Sequence, residues 1–530
     1  MATLRALAPL FAFGYVNCFV PSQLRLITPV TASPLFKREA LSDTSSVIVD
    51  TTTTSSTVDS PDPLYQLGAW MPLGSASCLT GLTPVRIRVC GIDIAVWHKP
   101  LPKDAKKNAV EWSALVDACP HRLAPLSQGR VDPDSGCIEC PYHGWAFDTD
   151  GNHKALPQLD EGRTIEASTA SRSAATSLPV HASGDLLFVF LPTDITGESW
   201  PITLLPEHHY PYLQDKIDNG ATYYSRDLPY SLDFLLENFM DPAHIPFAHH
   251  SLQGTRDDGS PLAMKVLVNN FTHVECGYTD RVNKKTRLGV VSFQRPAFYH
   301  FRTNRTTDET DEYKPNLLIF TAPIEEGKCR VIFPDLQIKF IPKWLGHLGS
   351  NRFLNTDTWL HDAERSARIN DNINKQRGSV SVGAARAGAK PTDGLNYVLA
   401  SMSDIGPSLF RKWWSKHGFA DAPPNTFGPA SASYLGARAL SRAEQIDPWN
   451  HHAKYCVKCR RALKKLRVLQ ILISAGAAVG VILLRRRTPF AIALVLGSMY
   501  AYNFLHKLAT AIEGNSNRAE IGDRSVAAIK

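Results

Sequence analysis

The chain is 530 residues long, 44% hydrophobic and 20% charged, with a formal net charge of +7 and ten cysteines. This is an ordinary globular balance, long enough for two or three domains. The cysteines show no disulfide-framework spacing, which excludes a small secreted scaffold and suits a reducing compartment. The positive excess is local rather than diffuse: Lys454, Lys458, Arg460, Arg461, Lys464, Lys465 and Arg467 form one cluster, and Arg485, Arg486 and Arg487 another. Both flank apolar segments, so they read as anchors on an anionic lipid surface and not as a nucleic-acid footprint.

At the N-terminus Arg5 precedes a largely apolar run from Ala6 to Val16, and Val16-Asn17-Cys18 has the form of a small-residue cleavage site. Phe19 to Arg38 contains no acid, as in a transit peptide. The expectation is a signal-like segment over 1–18, then a transit peptide and linker over 19–63, whose Thr44–Ser60 stretch is rich in Ser and Thr. With Phe19 at the junction, this resembles the two-part presequence of complex red-lineage plastids. A single mitochondrial or plastid presequence is the simpler alternative.

Residues 64–192 predict a small all-β domain. Val85-Arg86-Ile87-Arg88-Val89 alternates apolar and charged, Cys90-Gly91 turns the chain, and Ile92-Asp93-Ile94-Ala95-Val96 returns it, a β-hairpin pattern. Leu186 to Phe190 reads as another buried strand. Between them stand Cys119-Pro120-His121 and Cys140-Pro141-Tyr142-His143, two Cys–His pairs on two loops. A Rieske [2Fe–2S] cluster needs that set, two cysteines on one iron and two histidines on the other. A structural Cys₂His₂ zinc site is the alternative, but zinc-finger ligands usually pair Cys with Cys and His with His. Cys137 competes as a ligand. Only Cys140 gives the Cys-x-x-His step, so Cys137 reads as a packed thiol.

The next chemistry lies within a predicted domain over 193–445, in Glu237-Asn238-Phe239-Met240-Asp241-Pro242-Ala243-His244-Ile245-Pro246-Phe247-Ala248-His249-His250. Glu237, Asp241 and His244 would share a helical face. His249 falls off that face, and Pro246 permits a break that turns both imidazoles toward one ion. Two histidines and a distant carboxylate make the facial triad of a non-haem Fe(II) oxygenase. Asn355-Thr356-Asp357-Thr358-Trp359-Leu360-His361-Asp362 offers the carboxylate, Asp357 first and Asp362 second. His250 is the residue most easily confused with His249. Nothing matches a GxGxxG dinucleotide fingerprint, so the reductant comes from outside the chain.

Toward the C-terminus, 446–467 is a basic segment holding Cys456-Val457-Lys458-Cys459. Cationic neighbours favour thiolate and disulfide exchange. A zinc pair with His451 and His452, or two idle thiols, are the alternatives. Val468–Leu484 and Phe490–Leu505, within an expected anchor over 468–507, are each short against the ~20 residues of a full span. A two-span hairpin or one span with an interfacial helix both fit, and 508–530 is a tail.

With both metal motifs in hand, the chain resembles the Rieske non-haem iron oxygenases from about Leu64 to Lys507. Within them it looks like the plastid branch, which includes pheophorbide a oxygenase, chlorophyllide a oxygenase and the inner-envelope translocon Rieske subunit. The likeness rests on Cys119-Pro120-His121-Arg122-Leu123-Ala124-Pro125-Leu126-Ser127, Cys140-Pro141-Tyr142-His143-Gly144-Trp145, Leu156-Pro157-Gln158, Asn238-Phe239-Met240-Asp241-Pro242-Ala243-His244 and the late Cys456-x-x-Cys459. It implies an α+β chain: a β-rich Rieske [2Fe–2S] domain, a helix-grip catalytic domain and a C-terminal membrane anchor. It implies a homotrimer in which Asp241 bridges a cluster histidine and an iron histidine across subunits. Asn238 would lie near the iron, and Glu237 would orient ligands. The resemblance further implies a monooxygenase in a plastid membrane, inner envelope or thylakoid. Such an enzyme would use O₂ and a ferredoxin-type donor on a chlorophyll-derived tetrapyrrole, with a thioredoxin acting at Cys456 and Cys459. The alternative function is a redox-sensing Rieske subunit of a chloroplast envelope import complex.

Overall fold

A computed structural model describes residues 67–79, 83–99, 110–159, 171–282, 285–304, 314–336, 340–376, 397–417, 438–483 and 489–514. The presequence expected over 1–63 and residues 515–530 of the expected 508–530 tail lie outside these residues. Among the described residues all cysteines are free.

The first half is built of short strands: β1 (Leu67–Ser75), β2 (Val85–Val89), β3 (Ile92–His98), β4 (Trp112–Val116), β5 (Arg130–Val131), β6 (Ile138–Glu139), β7 (Ala146–Phe147), β8 (His153–Ala155), β9 (Ser177–Leu178), β10 (Val180–Ser183), β11 (Leu186–Pro192) and β12 (Trp200–Pro201). They form three four-stranded sheets, ordered β10-β11-β1-β12, β2-β3-β4-β9 and β5-β6-β7-β8. The predicted hairpin is present, with Val89 opposite Ile92. Cys90 and Gly91 both take positive φ, 51° and 77°, as a two-residue turn that matches strand twist requires. The turn is fastened across the molecule: Cys90 N–H donates to Pro323 O and Gly91 N–H to Ile324 O, each at 2.8 Å.

The second half is a seven-stranded antiparallel sheet made of β13 (Tyr223–Leu228), β14 (Ala263–Asn269), β15 (His273–Val282), β16 (Lys285–Gln294), β17 (Phe298–Asn304), β18 (Lys314–Glu325) and β19 (Lys328–Pro334), in the order β13-β19-β18-β17-β16-β15-β14. Helices α1 (Leu232–Phe239), α2 (Lys343–Leu354), α3 (Leu360–Gln376) and α4 (Ile405–His417) accompany it. One face of the sheet shares a core with the first half. Met71, Ile94, Phe188 and Phe190 pack with Tyr223, Phe298 and Phe320, and the Phe188 and Phe320 rings stand edge to face at 5.7 Å. A second core takes in Leu235, Phe293, Tyr299, Val331, Leu354 and Phe410, closing α1, α2 and α4 onto the sheet.

The expectation of one helical face across Glu237, Asp241 and His244 is corrected. Helix α1 stops at Phe239, and a separate 3₁₀ turn covers Pro242–His244. Pro242 has no N–H and disfavours helical geometry at the residue before it. Asp241 is extended and caps the new turn, its Oδ1 accepting from Ala243 N–H at 2.8 Å.

The chain ends in two long helices, α5 (Val457–Leu483) and α6 (Pro489–Glu513). They lie antiparallel: Arg467 pairs with Glu513, and Gly480 faces Leu494. Among the described residues, one helix is long and apolar enough to cross a membrane, Val457–Ile482, with mean hydropathy 1.6 over its best window. Its apolar residues Ile471, Leu472, Val481 and Ile482 are exposed, as are Leu496, Met499 and Tyr500 of α6.

Candidate functional site

The two Cys–His loops are the same device used twice. Cys119 N–H donates to Ala124 O and Cys140 N–H to Trp145 O, while Leu123 N–H returns to Cys119 O and Gly144 N–H to Cys140 O, at 2.8–3.1 Å. Both fourth residues past the cysteine are left-handed, Leu123 at φ 57° and Gly144 at φ 73°. Gly144 suits that region, whereas the exposed Leu123 occupies it at a steric cost. Asp117 locks the first loop by accepting from the Ser127 N–H at 2.7 Å and the Ser127 hydroxyl at 2.6 Å. Gln158 donates to His143 O at 2.8 Å, so the Leu156-Pro157-Gln158 segment props the second.

The loops bring both thiols and both imidazoles together. Cys119 and Cys140 are buried, and burial together with the neighbouring thiol pushes Cys119 up to about 11. The His121 and His143 rings lie 4.6 Å apart between centroids, and Trp145 stacks flat on His121 at 4.6 Å. His121 Nδ1 is buried and has no protein partner. Two neighbouring buried thiols and an orphaned imidazole nitrogen suit a cationic cluster that takes these lone pairs. Cys137 packs in the turn between β5 and β6, its carbonyl accepting from Asp132 N–H at 2.9 Å.

The second group is His244, His249 and Asp357, whose donor atoms all lie within 4.8 Å of one another. The tautomers can be assigned. His244 Nδ1 faces Asp241 O and donates to it. The Thr356 hydroxyl donates to Phe353 O at 2.6 Å, so it accepts from His249 Nδ1 at 2.7 Å. Both Nε2 atoms are therefore lone pairs, and both face Asp357 Oδ2, at 4.0 and 3.4 Å. Burial lowers the His249 pKa to about 3, keeping it neutral as a ligand must be. Burial raises the Asp357 pKa, against the pull of His244 and Asn238. Asn238 donates to Asp357 Oδ2 at 3.2 Å, while Asp357 Oδ1 is buried with no partner. Two imidazoles aimed at one carboxylate that keeps an unpartnered oxygen fit one cation.

The framework explains how a carboxylate more than a hundred residues away arrives here. Tyr224 donates to Asn351 Oδ1 at 2.7 Å, and the buried Arg226 donates to Asn351 O at 2.9 Å and Asn355 Oδ1 at 2.6 Å. These bonds tie the end of α2 to β13 and set the loop that carries Asp357. Phe353 stacks on His249 at 4.0 Å.

The remaining expected residues fall elsewhere. Asp362 accepts from Gln445 at 3.2 Å and is not in the group. His250 is exposed and accepts from Arg256 N–H at 3.2 Å. Glu237 pairs with Arg411, which also binds Asp233 at 2.6 Å, so it braces α1 against α4. Asp241 has its pKa raised to about 6 by burial and by Asp404, against the Ala243 hydrogen bond. Cys456 and Cys459 are 2% and 1% exposed, closed to an attacking thiol. Thr356 and Phe353 were missed, since a threonine and a phenylalanine carry no ligand signature in sequence.

Residues 69–174, which contain all four loop residues, match the Rieske [2Fe-2S] domain family. Residues 293–371, which contain Asp357, match the pheophorbide a oxygenase family. The chain is a Rieske oxygenase. It holds the [2Fe–2S] cluster and mononuclear iron of that class, takes electrons from a donor and uses O₂ on a small-molecule substrate. The Rieske oxygenases similar to it include the chloroplastic pheophorbide a oxygenase of Oryza sativa subsp. japonica, 29% identical over 76% of this chain and 74% of that one. The protochlorophyllide-dependent translocon component 52 of Arabidopsis thaliana, also chloroplastic, is 24% identical over 78% of each chain. A chloroplastic flavonoid 8-hydroxylase 2 of Ocimum basilicum is 27% identical over 83% of each.

Proposed function

We propose that this Rieske oxygenase is a plastid monooxygenase acting on a chlorophyll-derived tetrapyrrole, with electrons from a ferredoxin-type donor. The observation that carries this reading is the buried His244–His249–Asp357 group, with Asp357 inside the segment that matches the pheophorbide a oxygenase family. In this reading Cys119 and Cys140 hold one iron of the cluster and His121 and His143 the other. His244, His249 and Asp357 hold Fe(II). When bound, the two centres supply single electrons and O₂ activation.

The residues around them do the positioning. Asp241 O and Thr356 Oγ1 hold the Nδ1 protons, so both Nε2 lone pairs face inward. Asn238 restrains one oxygen of Asp357 and leaves the other free. Phe247 and Trp359, 55% and 44% exposed, flank the ligand segments and offer an apolar rim to a broad flat substrate. Asp241 serves as the carboxylate between cluster and iron of adjoining subunits in a homotrimer. Helices α5 and α6, with the basic residues at the start of α5, hold the enzyme on the inner envelope or thylakoid. The segments 64–192 and 193–445 are the cluster and iron domains. A thioredoxin acting on Cys456 and Cys459 would need those thiols to open first.

The test is turnover of the full chain in detergent with ferredoxin, its reductase, NADPH and labelled O₂. Pheophorbide a, chlorophyllide a, a phyllobilin and a flavonoid are offered separately. One labelled oxygen atom in a tetrapyrrole product is expected. Oxygen in the flavonoid alone would overturn the substrate class. Absence of any product, with donor-reduced cluster intact, would favour the sensing role suggested by the likeness to the translocon component.

A further inference from the structure

His347, His452, Cys456 and Cys459 form a second group whose donor atoms all lie within 4.8 Å of one another, and all four are buried. The group lies outside both centres already described. His347 belongs to α2, His452 to a π-helical turn at Trp449–Ala453, Cys456 to the link that follows, and Cys459 to the first turn of α5. We propose that these four residues hold one structural zinc ion at the root of the C-terminal helix pair.

Four of the six ligand–ligand distances suit a tetrahedron around one ion. His347 Nδ1 lies 3.1 Å from His452 Nε2, 3.3 Å from Cys459 Sγ and 3.6 Å from Cys456 Sγ, and His452 Nε2 lies 3.3 Å from Cys459 Sγ. Zn–N of ~2.0–2.1 Å and Zn–S of ~2.3 Å at tetrahedral angles require N···N of about 3.4 Å and N···S of about 3.6 Å. The four observed edges fall close to these. A two-iron cluster spreads its cysteines and histidines over two metals, whereas here thiols and imidazoles converge on one point.

The surroundings fix the lone pairs. His347 Nε2 faces Asp335 Oδ1 at 2.9 Å, and Asp335 pairs with Lys458 at 3.0 Å. His452 Nδ1 faces Ser225 O at 2.6 Å. Each outer nitrogen meets an oxygen acceptor and can donate to it, which leaves each inner nitrogen available to an ion. Carboxylate–histidine–metal and carbonyl–histidine–metal relays have this form. Two thiolates and two imidazoles with no open position select zinc in a structural role. Cys78 Sγ, 3.7 Å from Cys456 Sγ, is placed to donate a weak hydrogen bond to that thiolate.

The ion would clamp the start of α5 to α2. Helix α2 also delivers Asp357, so the anchor and the iron ligand share one support.

The experiment is metal analysis of the full chain, purified in detergent without chelator. About one zinc is expected beside about three irons per chain. H452Q and C459S should drop zinc below about one-tenth of an equivalent while the Rieske electron-paramagnetic signal persists. H451Q, one position away, should leave zinc unchanged. Should the variants fail to fold, chelated wild type titrated with Co²⁺ should show a thiolate-to-cobalt absorption band saturating at about one equivalent. Trace zinc with no cobalt band, a fourth iron in place of zinc, or a Cys456–Cys459 disulfide as the resting state would overturn the proposal.

Discussion

Replacing Thr356 by valine removes one oxygen beneath the iron group and almost nothing else. The hydroxyl is the acceptor for His249 Nδ1–H at 2.7 Å, and the imidazole is 3% exposed, so no water replaces it. A buried donor left unpaired costs about 1–3 kcal/mol, and at ~1.4 kcal/mol per decade this weakens Fe(II) binding about 5–150-fold. Loss of outer partners of metal histidines lies in the same range, about 10–100-fold. The assay is anaerobic equilibrium dialysis of Fe(II) against iron-depleted T356V, with the cluster's visible spectrum as an internal standard. T356S keeps the hydroxyl and should bind as wild type. Equal Fe(II) affinity in T356V and wild type, or equal losses in T356V and T356S, would refute the hydrogen-bond argument.

Asp357 and Asp362 should separate cleanly: D357N should fall from about three irons per chain to about two, and D362N should keep all three, by elemental analysis. R411M should destabilise the fold by about 3–5 kcal/mol in denaturant melts, because Asp233 and Glu237 lose their shared buried partner. His300 is 6% exposed and burial lowers its pKa to about 3, aided by Arg302 and His273. Its neutral form is favoured by folding, so the stability it contributes is present above ~6.5 and lost as pH falls toward 3, and H300F should flatten that acid limb by about one proton. G144A should cost about 1–2 kcal/mol and lower cluster occupancy, seen in the visible spectrum, since Gly144 sits at φ 73° and a Cβ would stand 3.3 Å from Pro157 Cγ.

What the sequence disclosed follows from how far apart the partners lie. Both Cys–His loops are local: each supplies its own cysteine, histidine, turn residue and closing hydrogen bonds within six residues, so spacing alone reveals them. The Cys90-Gly91 turn was legible for the same reason. The iron group was half legible. His244 and His249 share a segment, but Asp357 is chosen over Asp362 by α2 and Arg226, and no local pattern carries that choice. The shared face of Glu237, Asp241 and His244 suggests a longer helix than α1, which Pro242 stops. Helix α5 starts before its apolar run at Val468, because most of Lys458 to Arg467 are good helix formers and extend it back to Val457. The pairing of His347 with Cys459 joins residues far apart in sequence, and a lone buried histidine in α2 gives no sign of it.

The interlocked aromatic core between the two halves, stitched by the Cys90-Gly91 turn, has a consequence for engineering. The redox module here is not a detachable cassette. Cutting the chain after Pro192 would bare Phe188 and Phe190 on one piece and Phe298 and Phe320 on the other, inviting aggregation of both. A graft from another oxygenase would have to import the opposing wall as well, and no swinging arm can carry the electron from donor to substrate within one polypeptide.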